Sequence, residues 1–385
     1  MSIRSLLRKL TNSSPAAKPN ATSSKDDPSG DYAVRQDWSS LDGEINYSSF
    51  IYFDVDRDGR YGVGDRPFGG IRVRLRRSGD VIASARTNNN GYANFKSSAT
   101  NAKAPLHSPG VYEFVVSVPS GFTTTSGNQI QSAELKLRPG SLCGIASDEM
   151  LQPVGLAPNR IIGGRLPKNA QLSVKALDRL GGVAGEAEYF NQTAFRYPIP
   201  DDADEIEVSM ADLTRRMPAS PYPSDLGLFD PSRGALDPNR RTETINFDDV
   251  NPRGLRKIPS GYAGLNWFNL NAIARDFTKM GQGYVNGNTS GDYTAYVSGG
   301  YPALIYSDTP FDFIGVHLTA AWLNAEGDTG IIEVWRGDDL VAKDSVTLSA
   351  LTPVFYNPCL PGITRIRLTS EHYWQIVLDD LVIAR

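Results

Sequence analysis

Apolar residues recur at every second position through much of this chain, and that period restricts what it can fold into. Ile71, Val73 and Leu75 alternate with Arg72, Arg74 and Arg76, as in a strand with one face in a core and the other in water. Other runs rich in Val, Ile, Tyr, Phe and Thr lie between turn clusters, to which 36 glycines and 25 prolines contribute. The expected fold class is therefore all-β, with β-sandwich domains in tandem rather than helical or α/β layers. At 385 residues the chain exceeds one ordinary domain, and two or three are expected.

Residues 1–44 read as a disordered tail, with too little apolar area to offset chain entropy. Within it Ile3, Leu6, Leu7 and Leu10 recur at helical spacing opposite Arg4, Arg8 and Lys9, an amphipathic start suited to docking on a membrane or a partner, or to export. It has no apolar core of a cleaved secretory signal, so export by another route is expected. Residues 45–155 form a first β-sandwich, with strands anticipated at 49–53, 71–75, 81–87, 92–95, 111–118 and 130–137 and a turn at Asn88 to Gly91. Residues 156–211 read as a small β domain and 212–243, rich in Pro, Asp, Arg and Ser, as a linker. Residues 244–385 read as a second full sandwich.

One loop carries chemistry. Calcium takes about six to eight oxygens, and an EF-hand-type loop offers them from positions 1, 3, 5, 7, 9 and 12, with Gly at 6. In residues 54–65 those positions are Asp54, Asp56, Asp58, Arg60 through its carbonyl, Gly62 through water and Asp65, with Gly59 sixth. The flanks are strands, so calcium here has no helices to open, and the expected role is structural.

The surrounding motifs resemble the SdrD B-like repeats of bacterial surface adhesins. After the acidic loop come Pro67 to Leu75, then Asn88 to Phe95 (N-N-N-G-Y-A-N-F), Tyr112 to Val116 and the Pro119–Gly121 bend, in the order those repeats show. The resemblance covers about residues 45–155 and implies a prealbumin-like sandwich stiffened by Ca2+ that acts as a stalk or spacer. Only one copy is seen, and no LPxTG motif with an apolar tail, so covalent attachment to a Gram-positive wall is not expected.

In the last unit, Asp248 and Asp249 lie near its start and Asp379 and Asp380 near its end. This resembles secreted jelly-roll domains akin to carbohydrate-binding modules. The resemblance implies first and last strands running side by side, with a calcium between their ends held by residues such as Asp248 and Asp379. The alternative is solvated acids that discourage edge-to-edge pairing. The stretch Ile258 to Asn269 (I-P-S-G-Y-A-G-L-N-W-F-N) is an aromatic loop in which Tyr262, Asn266 and Trp267 are candidate sugar contacts, although such aromatics also plug sandwich cores.

Several classes are not expected. The net charge of −4 with scattered basic residues offers no field for nucleic acid, and no apolar stretch has membrane-spanning length. Cys143 and Cys359 read as two thiols rather than a disulfide framework, and three histidines without a ligand-spaced pair do not predict zinc. No nucleophile elbow, H-E-x-x-H or phosphate-cradling loop is present, so the chain is read as non-catalytic. What remains is an extracellular or cell-surface protein, stabilised by calcium, that presents sandwich domains to other surface or matrix components, to copies of itself or to glycans. The alternative is a secreted carbohydrate-binding protein.

Overall fold

The computed structural model describes residues 45–137, 145–147, 149–181, 183–184, 188–190, 193–250, 254–277 and 282–385. The expectations for residues 1–44, and for Cys143, fall outside this set. The described chain is nearly all β.

The first sandwich comprises β1 (Ile45–Phe53), β2 (Arg66–Pro67), β3 (Arg72–Arg77), β4 (Asp80–Arg86), β5 (Tyr92–Ser97), β6 (Gly110–Ser117), β7 (Phe122–Thr124), β8 (Ile130–Leu137), β9 (Ile145–Ala146) and β10 (Val154–Pro158). One sheet runs β2-β1-β10-β7 and the other β4-β3-β6-β8-β9. Strand β1 changes partners part-way: Ile45 to Phe50 pairs with β5, and Ile51 to Phe53 runs parallel to β10. In β3 the arginines Arg72 and Arg74 are exposed and Val73 and Leu75 fully buried, as the alternation requires. They join Ile51, Phe53, Phe68, Phe95 and Phe114 in the core. In the Asn88–Gly91 turn, Asn88 Oδ1 accepts the N–H groups of Asn90 and Tyr92, both at 3.0 Å. Gly91 has φ +78°, and a Cβ there would stand 2.5 Å from the Ile51 carbonyl oxygen, so glycine is required.

The second unit is built from β11 (Ile161–Arg165), β12 (Ser173–Leu177), β13 (Val183–Ala184), β14 (Glu188–Phe190), β15 (Ala194–Pro198), β16 (Glu205–Met210), β17 (Leu213–Pro218) and β18 (Ser224–Leu228). Its sheets, β13-β12-β16-β17 and β14-β15-β11-β18, enclose Ile162, Phe195, Tyr197, Val208, Leu226 and Phe229. The linker expected at 212–243 therefore holds two strands, and the unit extends to about Phe229. Composition misleads here because β17 is an edge strand with alternate residues exposed, and its only proline is its last residue.

The third unit contains β19 (Thr242–Ile245), β20 (Leu255–Lys257), β21 (Asn266–Phe268), β22 (Leu270–Ala274), β23 (Tyr293–Val297), β24 (Ala303–Ala320), β25 (Thr329–Arg336), β26 (Asp339–Thr347), β27 (Val354–Tyr356), β28 (Leu360–Ser370) and β29 (Ile376–Ala384). The register of β24 shifts between Tyr306 and Phe311: β28 pairs with it on both sides of the shift, and β29 and β27 pair with it only beyond the shift. The first and last strands lie side by side as expected, with Thr242 opposite Ala384 and Ile245 opposite Leu381.

The three sandwiches are not strung out in a row. The described residues from 45 to 385 form one compact unit. Strand β18 pairs in parallel with β27, so a sheet of the second unit continues into the third. The buried Asn286 amide bridges the first and third units, donating to the Gly69 carbonyl at 3.1 Å and the Ala350 carbonyl at 2.9 Å. At the junction of the first and second, the Arg160 guanidinium donates to the carbonyls of Pro200, Asp201, Ala203, Ala219 and Ser220.

Candidate functional site

The acidic loop leaves the end of β1 and is fastened on all sides. The Asp54 N–H donates to the Leu156 carbonyl on β10 at 3.0 Å. Tyr61 packs edge-on against Phe50 and Tyr52, with ring centroids 4.9 and 5.2 Å apart. Arg57 donates to the Pro158 carbonyl at 2.9 Å and pairs with Asp201 at 3.2 Å, which ties the loop to the junction with the second unit. Gly59 has φ +80°, and a Cβ on it would stand 2.9 Å from the Thr125 carbonyl oxygen.

The aspartates of the loop accept backbone N–H groups within it. Asp54 Oδ2 accepts the Gly59 N–H at 2.9 Å, Asp56 Oδ1 that of Asp58 at 3.3 Å, and Asp58 Oδ1 that of Arg60 at 2.7 Å. One carboxylate oxygen from each of Asp54, Asp56 and Asp58 lies within 4.8 Å of the others. Asp65, the twelfth residue, is outside that group. Its Oδ1 accepts the Val55 N–H at 2.9 Å and its Oδ2 the Gly62 N–H at 2.8 Å, so it closes the loop. Arg60 is an exposed loop residue whose N–H serves Asp58.

The electrostatics of the loop centre on Asp54. Asp54 is fully buried, and its Oδ1 has no hydrogen-bond partner. An unpaired buried carboxylate oxygen is costly, and a hard divalent ion ligated by the three acids would satisfy it. Burial raises the Asp65 carboxyl, Asp54 and Asp56 add to the rise, and the Gly62 and Val55 N–H groups oppose it. The Tyr52 hydroxyl is likewise raised, by burial first and then by Asp54, Asp65, Asp58 and Asp56. Tyr52 OH and Thr125 Oγ1 are both buried without partners and meet over the Cα of Gly155, where a Cβ would overlap them. The residues present therefore fit calcium. Sequence spacing did not show that the Tyr52 and Thr125 hydroxyls are buried beside the loop. The period-2 phase of Phe50, Tyr52 and Asp54 was the available signal for the first, whereas Thr125 arrives from a distant turn.

The second expected metal position differs. Asp248 and Asp379 do converge, but on backbone donors of the loop 289–293. Asp248 Oδ1 accepts from the Asp292 and Tyr293 N–H groups at 2.8 and 3.0 Å, and Asp379 Oδ2 from those of Thr289 and Ser290 at 2.6 and 3.2 Å. Asp380 accepts from the Thr289 and Ser290 hydroxyls. Burial, and then Asp380 beside it, push the Asp379 carboxyl well above its usual range. Among the described residues neither Asp248 nor Asp379 belongs to a group of three potential ligands. These acids hold a loop.

The aromatic loop also turns inward. Trp267 is 5% exposed, donates its indole N–H to the Tyr262 carbonyl at 2.9 Å and meets Phe247 edge-on at 5.7 Å. The Tyr262 hydroxyl donates to Asp249, and Asn266 Oδ1 accepts from Ser260. Trp267 therefore has no open face for a sugar. Exposed rings lie elsewhere on this unit: Tyr301 and Tyr373 are 71% and 73% exposed, and the backbone of Gly300 closes against that of Tyr373.

A cavity of about 810 Å3 opens between β17 and strands β24 and β29, lined by Met217, Tyr222, His317, Phe355 and Cys359 among others. His317 lies between Tyr222 and Phe355, and burial lowers its pKa to about 4. Cys359 is a free thiol that donates to Asn357 Oδ1 at 2.9 Å, and burial raises its pKa. No described helix is long and apolar enough to cross a membrane.

No protein-family model matches the sequence, and a search of curated proteins finds no match. Among solved structures, the chain is similar to the K1 cleaved adhesin domain of Lys-gingipain from Porphyromonas gingivalis W83, at 11% identity and TM-score 0.23 over 38% of this chain and 98% of that one. It is similar to the CBM22-1–CBM22-2 tandem of Paenibacillus barcinonensis Xyn10C at 12% identity and TM-score 0.22, over 82% and 92%. It is also similar to the Bacillus anthracis TIE protein at 10% identity and TM-score 0.21, covering 48% of this chain and only 34% of that one. All three likenesses are weak.

Proposed function

We propose that this is a calcium-stabilised, non-catalytic structural or adhesive protein of the cell surface or exterior, whose first sandwich is SdrD B-like. The observation that carries this reading is Asp54: a fully buried carboxylate with one unpartnered oxygen, grouped with Asp56 and Asp58 at the end of β1. Calcium bound there neutralises acids that otherwise repel and stiffens the junction that Arg57 spans. Calcium is scarce in cytosol and abundant outside cells, where sites of modest affinity fill. The non-catalytic part of the reading rests on the reactive groups: the Cys359 thiol is held protonated by burial and His317 is packed between rings.

Limited proteolysis with cell fractionation tests this. The expected result is a surface or medium location and cleavage within 54–65 that accelerates when EGTA is added. A cytosolic protein with an EGTA-insensitive cleavage pattern would contradict it.

A second reading, binding of glycans by the third unit, is favoured by one observation: Tyr301 and Tyr373 are both exposed, and Gly300, next to Tyr301, closes against the Tyr373 backbone. On a glycan array, specific binding lost in both Tyr301→Ala and Tyr373→Ala supports it, and absence of any specific binding removes it.

A further inference from the structure

A second set of metal-binding side chains stands far along the chain from the acidic loop. Strands β25 and β28 are antiparallel with Gly330 opposite Ser370, so extending that register sets Thr329 beside Glu371 and Asp328 beside His372. The Glu371 N–H donates to the Thr329 carbonyl at 2.9 Å, which holds the extension in place. Asp328 is fixed from the other side: its N–H donates to the Ala325 carbonyl at 3.0 Å, and its own carbonyl accepts from the Leu348 N–H at 2.8 Å. One donor atom from each of Asp328, Glu371 and His372 lies within 4.8 Å of the others.

The Asp328 side chain is only 3% exposed. Its Oδ1 meets His372 Nδ1 at 2.7 Å, but its Oδ2 is buried with no hydrogen-bond partner. An Asp–His pair alone leaves that oxygen uncompensated, and Glu371 places a second carboxylate in the group. Two carboxylates with a neutral imidazole carry two negative charges, which a divalent ion balances.

We propose that Asp328, Glu371 and His372 form a binding site for a divalent transition-metal ion of the zinc type. Imidazole nitrogen with carboxylate oxygens suits zinc and its neighbours, whereas the all-oxygen loop at Asp54 suits calcium. Glu371 and His372 are exposed, so the ion keeps an outward coordination position for water or for a donor from another molecule. The sequence hides this site because its histidine has no histidine partner at ligand spacing, and the buried acid lies more than forty residues away.

Zinc titration of the untagged full chain, followed by calorimetry and by metal content after dialysis, tests the proposal. The wild type is expected to bind one zinc per chain. His372→Ala and Glu371→Gln, both at exposed positions, are expected to weaken binding at least about tenfold. His107→Ala should leave it intact. No zinc binding by the wild type, or binding equally tight in both His372→Ala and Glu371→Gln, overturns the proposal.

Discussion

Asp225 stands where the sheet of the second unit passes into the third, beside an ion cluster in which Arg165, Arg233 and the Tyr356 hydroxyl all serve the buried Asp344. Burial, reinforced by Asp344, raises the Asp225 carboxyl from 3.8 to about 6, against the pull of the Gly227 N–H and Arg165. The unfolded chain therefore releases this proton first as pH rises. The associated stability is present below about pH 4 and lost as pH climbs through about 6. Asp225→Asn keeps the acceptor for Gly227 and removes the charge. We expect the variant to exceed the wild type by up to roughly 3 kcal/mol at pH 7 and to match it near pH 4 in denaturant melts. An equal gap at both pH values contradicts this. At this scale, the sequence showed the acids of the 54–65 loop because their spacing is local. It did not show which carboxylate would be left with a bare oxygen, since burial of Asp54 and Asp328 depends on strands distant in sequence.

Elements were legible where the pattern was strictly local. Strand β3 and the Asn88–Gly91 turn follow from alternation and from residues that tolerate positive φ. Strands β17 and β18 did not: β17 is a half-exposed edge strand, and β18, though interior to its sheet, follows Pro218, Pro221 and Pro223, so both read as linker. The aromatic loop at 258–269 illustrates the same limit: its composition suits a sugar platform, but whether Trp267 faces in or out is decided by Phe247, which packs against it. As a core plug, Trp267→Ala should cost about 3–5 kcal/mol of stability in the third unit. Retention of wild-type stability with altered sugar binding would reverse that assignment.

At the scale of the molecule, single polar side chains cross the junctions: Asn286 joins the third unit to the first, and Arg57 the first to the second. Arg160 serves five carbonyls at the first junction, which leaves those carbonyls without their donor if it is removed. Arg160→Ala should lower the stability of the second unit by on the order of 2–4 kcal/mol, which calorimetry would resolve. None of this was visible from the chain alone, since charged residues at a domain boundary look like ordinary surface.

The acidic loop 54–65 lies at the junction of the first and second units, through Arg57, Pro158 and Asp201. Its occupancy is the claim on which the proposed role depends. Thermal melting in saturating calcium against excess EGTA, for the wild type and for Asp54→Asn, tests it most directly. Calcium should raise the wild-type transition by at least about 5 °C and leave Asp54→Asn unmoved. A wild-type melting curve indifferent to calcium would contradict the account.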